Sequence, residues 1–205
     1  MKYYAGVFFA IGSLLAGLLS FLRSSSLPNE VPMHWNLNMQ VDRYGSRMEA
    51  LFFVPIFLAA FCGIFTLIGV ISSSRLKFNT VRAINIISAA IVVLFLVIHN
   101  LILSQNPGGM AGVFPFLFPS LLLVLGFAMN GVEPNPWVGI RVPWTMSNPM
   151  VWRMTHERAS KLWVYGGALG LILAILKMPV YMPILIFAGC LLYPLFDSYR
   201  ISKTV

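Results

Sequence analysis

Six long runs of apolar residues dominate the chain, and short polar segments separate them. Each run approaches the roughly 20 residues that a helix needs to cross the ~30 Å hydrocarbon core of a bilayer. The last two runs are the shortest, and Lys177-Met178-Pro179 between them indicates the tight turn of a helical hairpin. The predicted spans are Tyr3–Leu22, Leu51–Ser72, Ala83–Leu103, Val113–Asn130, Leu162–Leu176 and Tyr181–Phe196.

The pattern therefore predicts an all-α integral membrane protein, a bundle of about six transmembrane helices with one outer and one inner long loop. We divide it into three parts: an N-terminal helical hairpin with its outer loop over residues 1–72, central transmembrane helices over residues 73–130, and the inner loop with a C-terminal helical hairpin over residues 131–205.

Composition supports this class. The chain has 205 residues, of which 59% are hydrophobic and 10% charged, against about 45–50% and about 25% in soluble domains. So few charges cannot cover a water-soluble exterior, which excludes a soluble enzyme. Cys62 and Cys190 lie inside apolar runs, so we expect packing rather than a disulfide scaffold.

The net charge of +8 does not indicate nucleic-acid binding, because the basic residues are spread between the apolar runs. Their distribution between the two sides of the membrane instead predicts the orientation of the chain. Basic residues favour the cytoplasmic side of a membrane. With the N-terminus inside, Arg23, Arg43, Arg47 and Lys177 lie outside and the other ten Lys and Arg lie inside. We therefore predict a multi-pass protein of the cell membrane with both termini in the cytoplasm. The outer loop is then residues 23–50 and the inner loop residues 131–161.

The outer loop holds the first candidate site. Pro28 and Pro32 keep its first part extended, and the stretch from Asp42 to Gly45 is a turn signal. His34 and Asp42 are therefore expected to converge. One interpretation is a site for a divalent metal or for protons, since imidazole and carboxylate are common ligands; the other is an ordinary interfacial loop. The candidate ligand-binding residues are His34, Asn36, Asp42 and Tyr44.

The inner loop holds the second candidate site. Four tryptophans and four prolines occur between Glu133 and Trp163, which favours a loop lying along the membrane interface. Asn148 followed by Pro149 predicts the start of an amphipathic helix. Val151, Trp152, Thr155, Ala159 and Leu162 form its apolar face, and Arg153, His156, Glu157 and Lys161 are expected mostly on its polar face.

Arg141 is the expected anchor of this loop. A planar guanidinium can bind a carboxylate with two hydrogen bonds, so Arg141 is predicted to pair with Glu133, Glu157 or Asp197. Trp152 is expected to pack beneath the turn that contains Pro143, Trp144 and Thr145.

Catalytic motifs are lacking in the sequence. His156-Glu157 begins a metalloprotease-like pattern, but Ser160 stands where the second histidine is required. No Gly-x-Ser-x-Gly or phosphate-binding loop occurs either. The sequence therefore favours a binding protein over an enzyme and indicates no cofactor, apart from a divalent metal at His34 and Asp42.

Both loops resemble a known family. The outer segments Leu27-Pro28-x3-Pro32-x-His34 and Asp42-Arg43-Tyr44-Gly45-Ser46 are similar to a small N-terminal domain of unknown function. The inner segment is similar to the signature of the SdpI-type immunity proteins, and its candidate residues are Gly139, Arg141, Pro143, Trp144, Thr145, Asn148, Trp152 and His156.

The resemblance implies a membrane immunity protein that protects a bacterium from a secreted peptide toxin. It also implies a signalling role in which a repressor protein is sequestered at the inner face of the membrane. The chain departs from the family at Pro149-Met150, where relatives often carry acidic residues. Two alternatives stay open: a membrane-embedded, metal-dependent enzyme that uses His34 and Asp42, and a small transporter.

Overall fold

The structure is a computed structural model, and it describes residues 2–72 and 75–205. Helices dominate, and a short β-hairpin follows the first of them. The elements are α1 (Ala5–Arg23), a 3-10 turn (Ser24–Ser26), β1 (Glu30–Trp35), β2 (Val41–Ser46), α2 (Arg47–Ser72), α3 (Phe78–Ser104), α4 (Pro107–Met129), α5 (Pro143–Ser147), α6 (Pro149–Ile175) and α7 (Tyr181–Ser202).

The prediction of an all-α membrane protein is confirmed. Within the described residues, five helical segments are long and apolar enough to cross a bilayer: Ala5–Ser26, Arg47–Ser72, Phe78–Ser104, Gly108–Met129 and Tyr181–Ser202. Many of their large apolar side chains are exposed, as expected of surfaces that face lipid. The chain is therefore embedded in the lipid bilayer.

Helix α6 differs from these five. Its 27 residues extend about 40 Å at 1.5 Å per residue. The predicted span over residues 162–176 covers only its C-terminal half, because the N-terminal half carries the charged residues Arg153, Glu157, Arg158 and Lys161. The sixth crossing, and with it the cytoplasmic position of both termini, therefore stays a prediction.

The outer loop contains a β-hairpin that the sequence pattern did not indicate. Strands β1 and β2 pair antiparallel, with Val31 opposite Gly45 and irregular pairing around His34. The turn was expected at Asp42–Gly45, but these residues belong to β2. The turn lies instead between Asn36 and Gln40, where the Asn36 side chain accepts hydrogen bonds from the backbone N–H groups of Asn38 and Gln40.

The described chain forms two compact units. The first comprises residues 2–3, 75–87 and 115–205, and the second comprises residues 4–72 and 88–114. Met1 and residue 73, at which two of the predicted parts begin, lie outside the described residues. The division into residues 1–72, 73–130 and 131–205 stays a prediction.

The second unit contains the hairpin and has two apolar clusters. One is rich in phenylalanine and is built around Phe9, Val54 and Leu58. The other places the hairpin residue Val31 against Leu51 and Leu103. Since Val31 is fully buried, the hairpin is attached to the helices by apolar contact as well as by the chain.

The first unit depends on close contact between α4 and α6. A Cβ atom added at Gly167 would lie 2.7 Å from the backbone N of Leu123, and one added at Gly126 would lie 2.7 Å from that of Val164. Small residues let two membrane helices approach this closely. Ser160 lies at the same contact and donates a hydrogen bond of 2.7 Å to the carbonyl of Gly126.

The charge distribution yields a topological prediction. In a variant lacking Cys62 and Cys190, a single cysteine replacing Asn38 should react with a membrane-impermeant maleimide in whole cells. A cysteine replacing Ser147 should react only after the membrane is permeabilised, because ten of the fourteen basic residues place that loop inside. Both positions are exposed, so accessibility within the fold is matched. Labelling of residue 147 but not residue 38 in intact cells would reverse the orientation.

Candidate functional site: the hairpin and the signature loop

His34 and Asp42 meet on the hairpin, as the sequence predicted. The His34 ring donates from Nδ1 to Asp42 Oδ1 at 2.5 Å, with side-chain exposures of 63% and 41%. Strand pairing causes this contact, because His34 lies opposite Arg43, the neighbour of Asp42. The result is a polar pair whose geometry is fixed and whose atoms are accessible.

The rest of the hairpin surface is also polar and held in place. Arg43 forms an ion pair of 2.9 Å with Glu49 at the start of α2. Arg47 donates to the carbonyl of Ser24, which joins the two ends of the loop. Tyr44 is exposed on β2, whereas the Asn36 side chain is used in the turn. Of the four candidate residues, His34, Asp42 and Tyr44 are thus exposed enough to meet a ligand.

His34 and Asp42 could supply two ligands to a divalent metal. Across residues 2–72 and 75–205, however, no group of three or more His, Cys, Asp or Glu side chains is placed to hold an ion. Zinc sites in proteins use three or four such ligands. His34 and Asp42 thus offer two of the ligands that such a site uses.

The signature loop, residues 131–148, is built against one face of α6. Trp152 and His156 lie one turn apart and stack with ring centroids 4.1 Å apart, and both are 1% exposed. Gly139 crosses directly above them with φ +126°. A Cβ there would lie 2.6 Å from His156 Nε2 and 2.8 Å from Trp152 Cη2, so only glycine satisfies both the space and the backbone angle.

Hydrogen bonds fix the loop on this face. The indole N–H of Trp152 donates to the carbonyl of Val132 at 2.7 Å. His156 Nε2 accepts from the backbone N–H of Ile140 at 2.9 Å, while its Nδ1 donates to the carbonyl of Trp152 at 2.8 Å. Trp152 thus lies beneath Val132 and Gly139, and its packing beneath the turn of Pro143, Trp144 and Thr145 stays a prediction.

His156 was expected on the polar face, and this prediction is wrong. His156 follows Trp152 by four residues and so lies on the same face of α6, where the loop folds over it and buries it. One ring nitrogen must accept from Ile140 and the other must donate to Trp152, so the ring is neutral. Burial lowers the pKa of His156 below its usual 6.5, and the bond to the Trp152 carbonyl opposes part of this shift.

Thr145 and Asn148 organise the turn that follows. The fully buried Thr145 hydroxyl donates to the carbonyl of Ile140 at 2.7 Å and accepts from the N–H of Val142 at 3.1 Å. Pro143 begins α5 as its first residue. Asn148 caps α6 by accepting from Met150 N and Val151 N, as its position before Pro149 predicted.

Arg141 is not the anchor of the loop, contrary to the sequence prediction. It is exposed, and within the described residues it makes no hydrogen bond or ion pair. The three predicted acidic partners are used elsewhere. Glu133 accepts from Asn79 and Thr80, Glu157 lies 3.9 Å from Arg153, and Asp197 pairs with Arg158 at 3.3 Å. Neutral donors at buried positions hold the loop, which avoids desolvating a guanidinium.

Trp144 joins the loop to α7. Its indole N–H donates to the Ser198 hydroxyl at 2.9 Å, and its ring meets the Tyr199 ring edge-on at 5.3 Å. Trp144 is therefore part of the frame that fixes the loop, in addition to any role at the membrane interface.

Sequence reasoning missed Asn135. Its buried side chain accepts from the N–H groups of Trp137 and Val138 and donates to the carbonyls of Glu133 and Val138, at 2.8–2.9 Å. Asparagine between two prolines, as in Pro134-Asn135-Pro136, is a signal for such a turn. The turn leads the chain to Gly139.

Substitutions should separate the buried frame from the exposed arginine. His156→Ala should lower the free energy of unfolding in detergent, because the backbone N–H of Ile140 loses its acceptor. A buried N–H without a partner costs about 1–3 kcal/mol, so the loss should be at least this large. Gly139→Ala should also destabilise the protein. The control Arg141→Ala should stay within about 0.5 kcal/mol of the parent. Equal losses for His156→Ala and Arg141→Ala in chemical unfolding would contradict this assignment.

The buried neutral histidine also predicts a pH dependence. The unfolded chain binds a proton at His156 near pH 6.5 and the folded protein only at a lower pH, so acid favours unfolding. This contribution to stability is complete above pH 6.5 and is lost as the pH falls toward the folded pKa, by at most about 1.4 kcal/mol per pH unit. Unfolding of the parent and of His156→Gln should be compared at pH 7.5 and 5.5. The free energy of unfolding should fall less between pH 7.5 and pH 5.5 in His156→Gln than in the parent. An equal fall in both proteins would mean that groups other than His156 cause the pH dependence.

Comparisons with known proteins match both candidate sites. A family model described as the SdpI/YfhL protein family matches residues 132–196, which include the signature loop, α6 and most of α7. A second, described as a domain of unknown function (DUF1648), matches residues 9–59, which include the hairpin. No solved structure matches.

A curated relative covers most of the chain. The protein named "Immunity protein SdpI" from Bacillus subtilis (strain 168) is 28% identical over 160 residues, 76% of each chain. The resemblance drawn from the two loops is therefore confirmed, and the chain is a multi-pass membrane protein with similarity to the SdpI-type proteins.

Proposed function

We propose that the protein is an immunity protein that protects the cell carrying it from a secreted, membrane-active peptide toxin, and that the hairpin over residues 30–46 contacts the toxin. The similarity to the B. subtilis immunity protein over 160 residues suggests the role. The observation that carries the binding surface is the His34–Asp42 pair, fixed at 2.5 Å and exposed.

The chemistry of the hairpin favours binding over catalysis. A nucleophile needs an adjacent base, and a metal-dependent hydrolase needs at least three ligands around its ion. His34 and Asp42 offer one donor–acceptor pair beside the exposed ring of Tyr44. A tyrosine next to polar groups of fixed geometry is a common feature of protein-binding surfaces.

The attachment of the hairpin also suits recognition. Val31 is buried against the helices, and Arg43 and Arg47 tie the strands to α2 and to the end of α1. A binding surface that is already ordered loses little conformational entropy when a partner binds. The hairpin can therefore recognise a peptide at the membrane surface without rearranging.

A protection assay tests this proposal. The gene is expressed in a toxin-sensitive bacterium, and growth is measured against secreted peptide toxins of related strains. His34→Ala and Asp42→Ala should each lower, by about tenfold or more, the highest toxin concentration at which the cells still grow. Residues at the centre of an interface often contribute about 2 kcal/mol to binding. The amount of each variant in the membrane should equal that of the parent, because an exposed pair contributes only about 0–1 kcal/mol to folding.

Glu30→Ala is the matched control. Glu30 is an exposed acidic residue on the same hairpin, and it should keep full protection. If His34→Ala and Asp42→Ala protect as well as the parent at equal membrane levels, the hairpin is a connector and the toxin binds elsewhere. If the parent itself gives no protection against any toxin tested, the immunity role is refuted for that set.

We also propose that the signature loop contacts a cytoplasmic repressor protein. Arg141 and Met146 are exposed on the signature loop, and Met150 is exposed at the second residue of α6. Arginine and flexible methionine side chains are enriched at protein contacts. The frame beneath it keeps this surface in one position.

Transcription of the gene itself tests the signalling role. In its native host, toxin exposure should raise the transcript of the parent gene. Arg141→Ala should reduce that rise several-fold while leaving toxin protection and protein level intact. A transcript that does not respond to toxin in the parent would rule out the signalling role without affecting the immunity proposal.

A further inference from the structure

A polar cleft between α6 and α7 is separate from the hairpin and the signature loop. It has a volume of about 350 Å³ and is lined by Arg158, Tyr193, Asp197, Arg200, Ile201 and Thr204. The α7 residues Tyr193, Asp197 and Arg200 recur at steps of four and three, so one stripe of the helix forms most of the wall, and Thr204 follows its end. Its size is at the lower end of small-molecule sites, which suits a headgroup.

Arg158 is held in this cleft by a carboxylate. Its Nη1 atom lies 3.3 Å from both oxygens of Asp197, whose side chain is only 10% exposed. The Arg158 side chain is 57% exposed, so its remaining N–H groups point to accessible space. Asp197 thus neutralises part of the charge but fixes the direction of the donors.

Arg200 supplies the second cation. It is exposed, and the part of the chain that the structure describes offers its guanidinium no hydrogen bond or ion pair. Arg158, Asp197 and Arg200 together leave the cleft with one net positive charge. Two guanidinium groups on one small cleft are suited to a phosphate group, which accepts several hydrogen bonds.

The cleft lies where the apolar surface of α7 ends. Leu192 and Phe196 are exposed on the adjacent stripe, and Arg200 follows Phe196 by one turn, about 6 Å along the axis. Tyr199 is half exposed at the same level, as aromatic residues at a membrane interface are. A group bound here would have its phosphate among the arginines and an apolar portion beside Leu192 and Phe196.

We propose that this cleft binds the phosphodiester headgroup of an anionic glycerophospholipid, with Arg158 and Arg200 contacting the phosphate and the acyl chains lying on the exposed face of α7. Basic pockets between membrane helices are a known mode of binding anionic lipids. The site does not depend on the immunity or signalling proposals, because it shares no residue with the hairpin or with the exposed surface around Arg141.

Native mass spectrometry of the full-length protein in detergent tests the proposal. Phosphatidylglycerol should bind saturably as one tightly held molecule, and phosphatidylcholine with the same acyl chains should bind at least tenfold more weakly. Arg200→Gln should weaken phosphatidylglycerol binding about tenfold, since it removes a charge-assisted hydrogen bond. Arg200→Lys keeps the charge but not the planar fork, and should weaken it less.

Lys161→Gln is the matched control, because it removes one exposed positive charge from α6 outside the cleft. It should bind phosphatidylglycerol as the parent does. Equal weakening by Arg200→Gln and Lys161→Gln, or equal binding of the two lipids by the parent, would overturn the proposal. Glycerol 3-phosphate is the soluble arm: if it competes for the site at the affinity of the lipid, the cleft is a site for a soluble phosphate ester and the lipid assignment is wrong.

Discussion

The position of the signature loop depends on one contact, the hydrogen bond from the backbone N–H of Ile140 to the neutral His156 ring. It forms only because the preceding residue is glycine, since any Cβ at residue 139 would collide with His156 and Trp152. The ring in turn is held by Trp152, whose carbonyl accepts a hydrogen bond from the Nδ1–H of His156. Loss of the glycine, the histidine or the tryptophan would leave a buried polar group without a partner, which is costly away from water.

Neutral groups hold the signature loop in place. A buried arginine would have to be desolvated, and an ion pair repays that cost only with excellent geometry. The chain instead uses backbone carbonyls, a threonine hydroxyl, an asparagine amide and two indole N–H groups. Arg141 and Arg200 stay exposed and can bind partners.

The hairpin follows the opposite rule. Its central pair, His34 and Asp42, is polar and exposed. The strands are fixed by the buried side chain of Val31 and by the hydrogen bonds of Arg43 and Arg47. An exposed pair adds little to folding stability, so His34 and Asp42 can serve recognition at little structural cost. The hairpin and the signature loop each match a family model, although different kinds of contact hold them in place.

The sequence by itself determined the membrane class, most helix positions, the cap at Asn148 and the meeting of His34 with Asp42. The first three follow from local causes, namely the length of apolar runs and helix-start signals, whereas His34 meets Asp42 through the pairing of β1 with β2. Strand pairing was not indicated, because the prolines and glycine of the hairpin weaken the alternation that marks a strand.

Only the tertiary structure decided that His156 is buried, that Arg141 has no ion pair among the described residues and that Asp197 pairs with Arg158. Helix periodicity places His156 one turn after Trp152 on the same face, but its polar side chain favoured an exposed position, and nothing local reveals that residues 139 and 140 fold back over it. The partner of a charged group depends on which distant elements pack together, as with Asp197, which lies 39 positions from Arg158. Such choices are set by non-local packing, which sequence spacing does not encode.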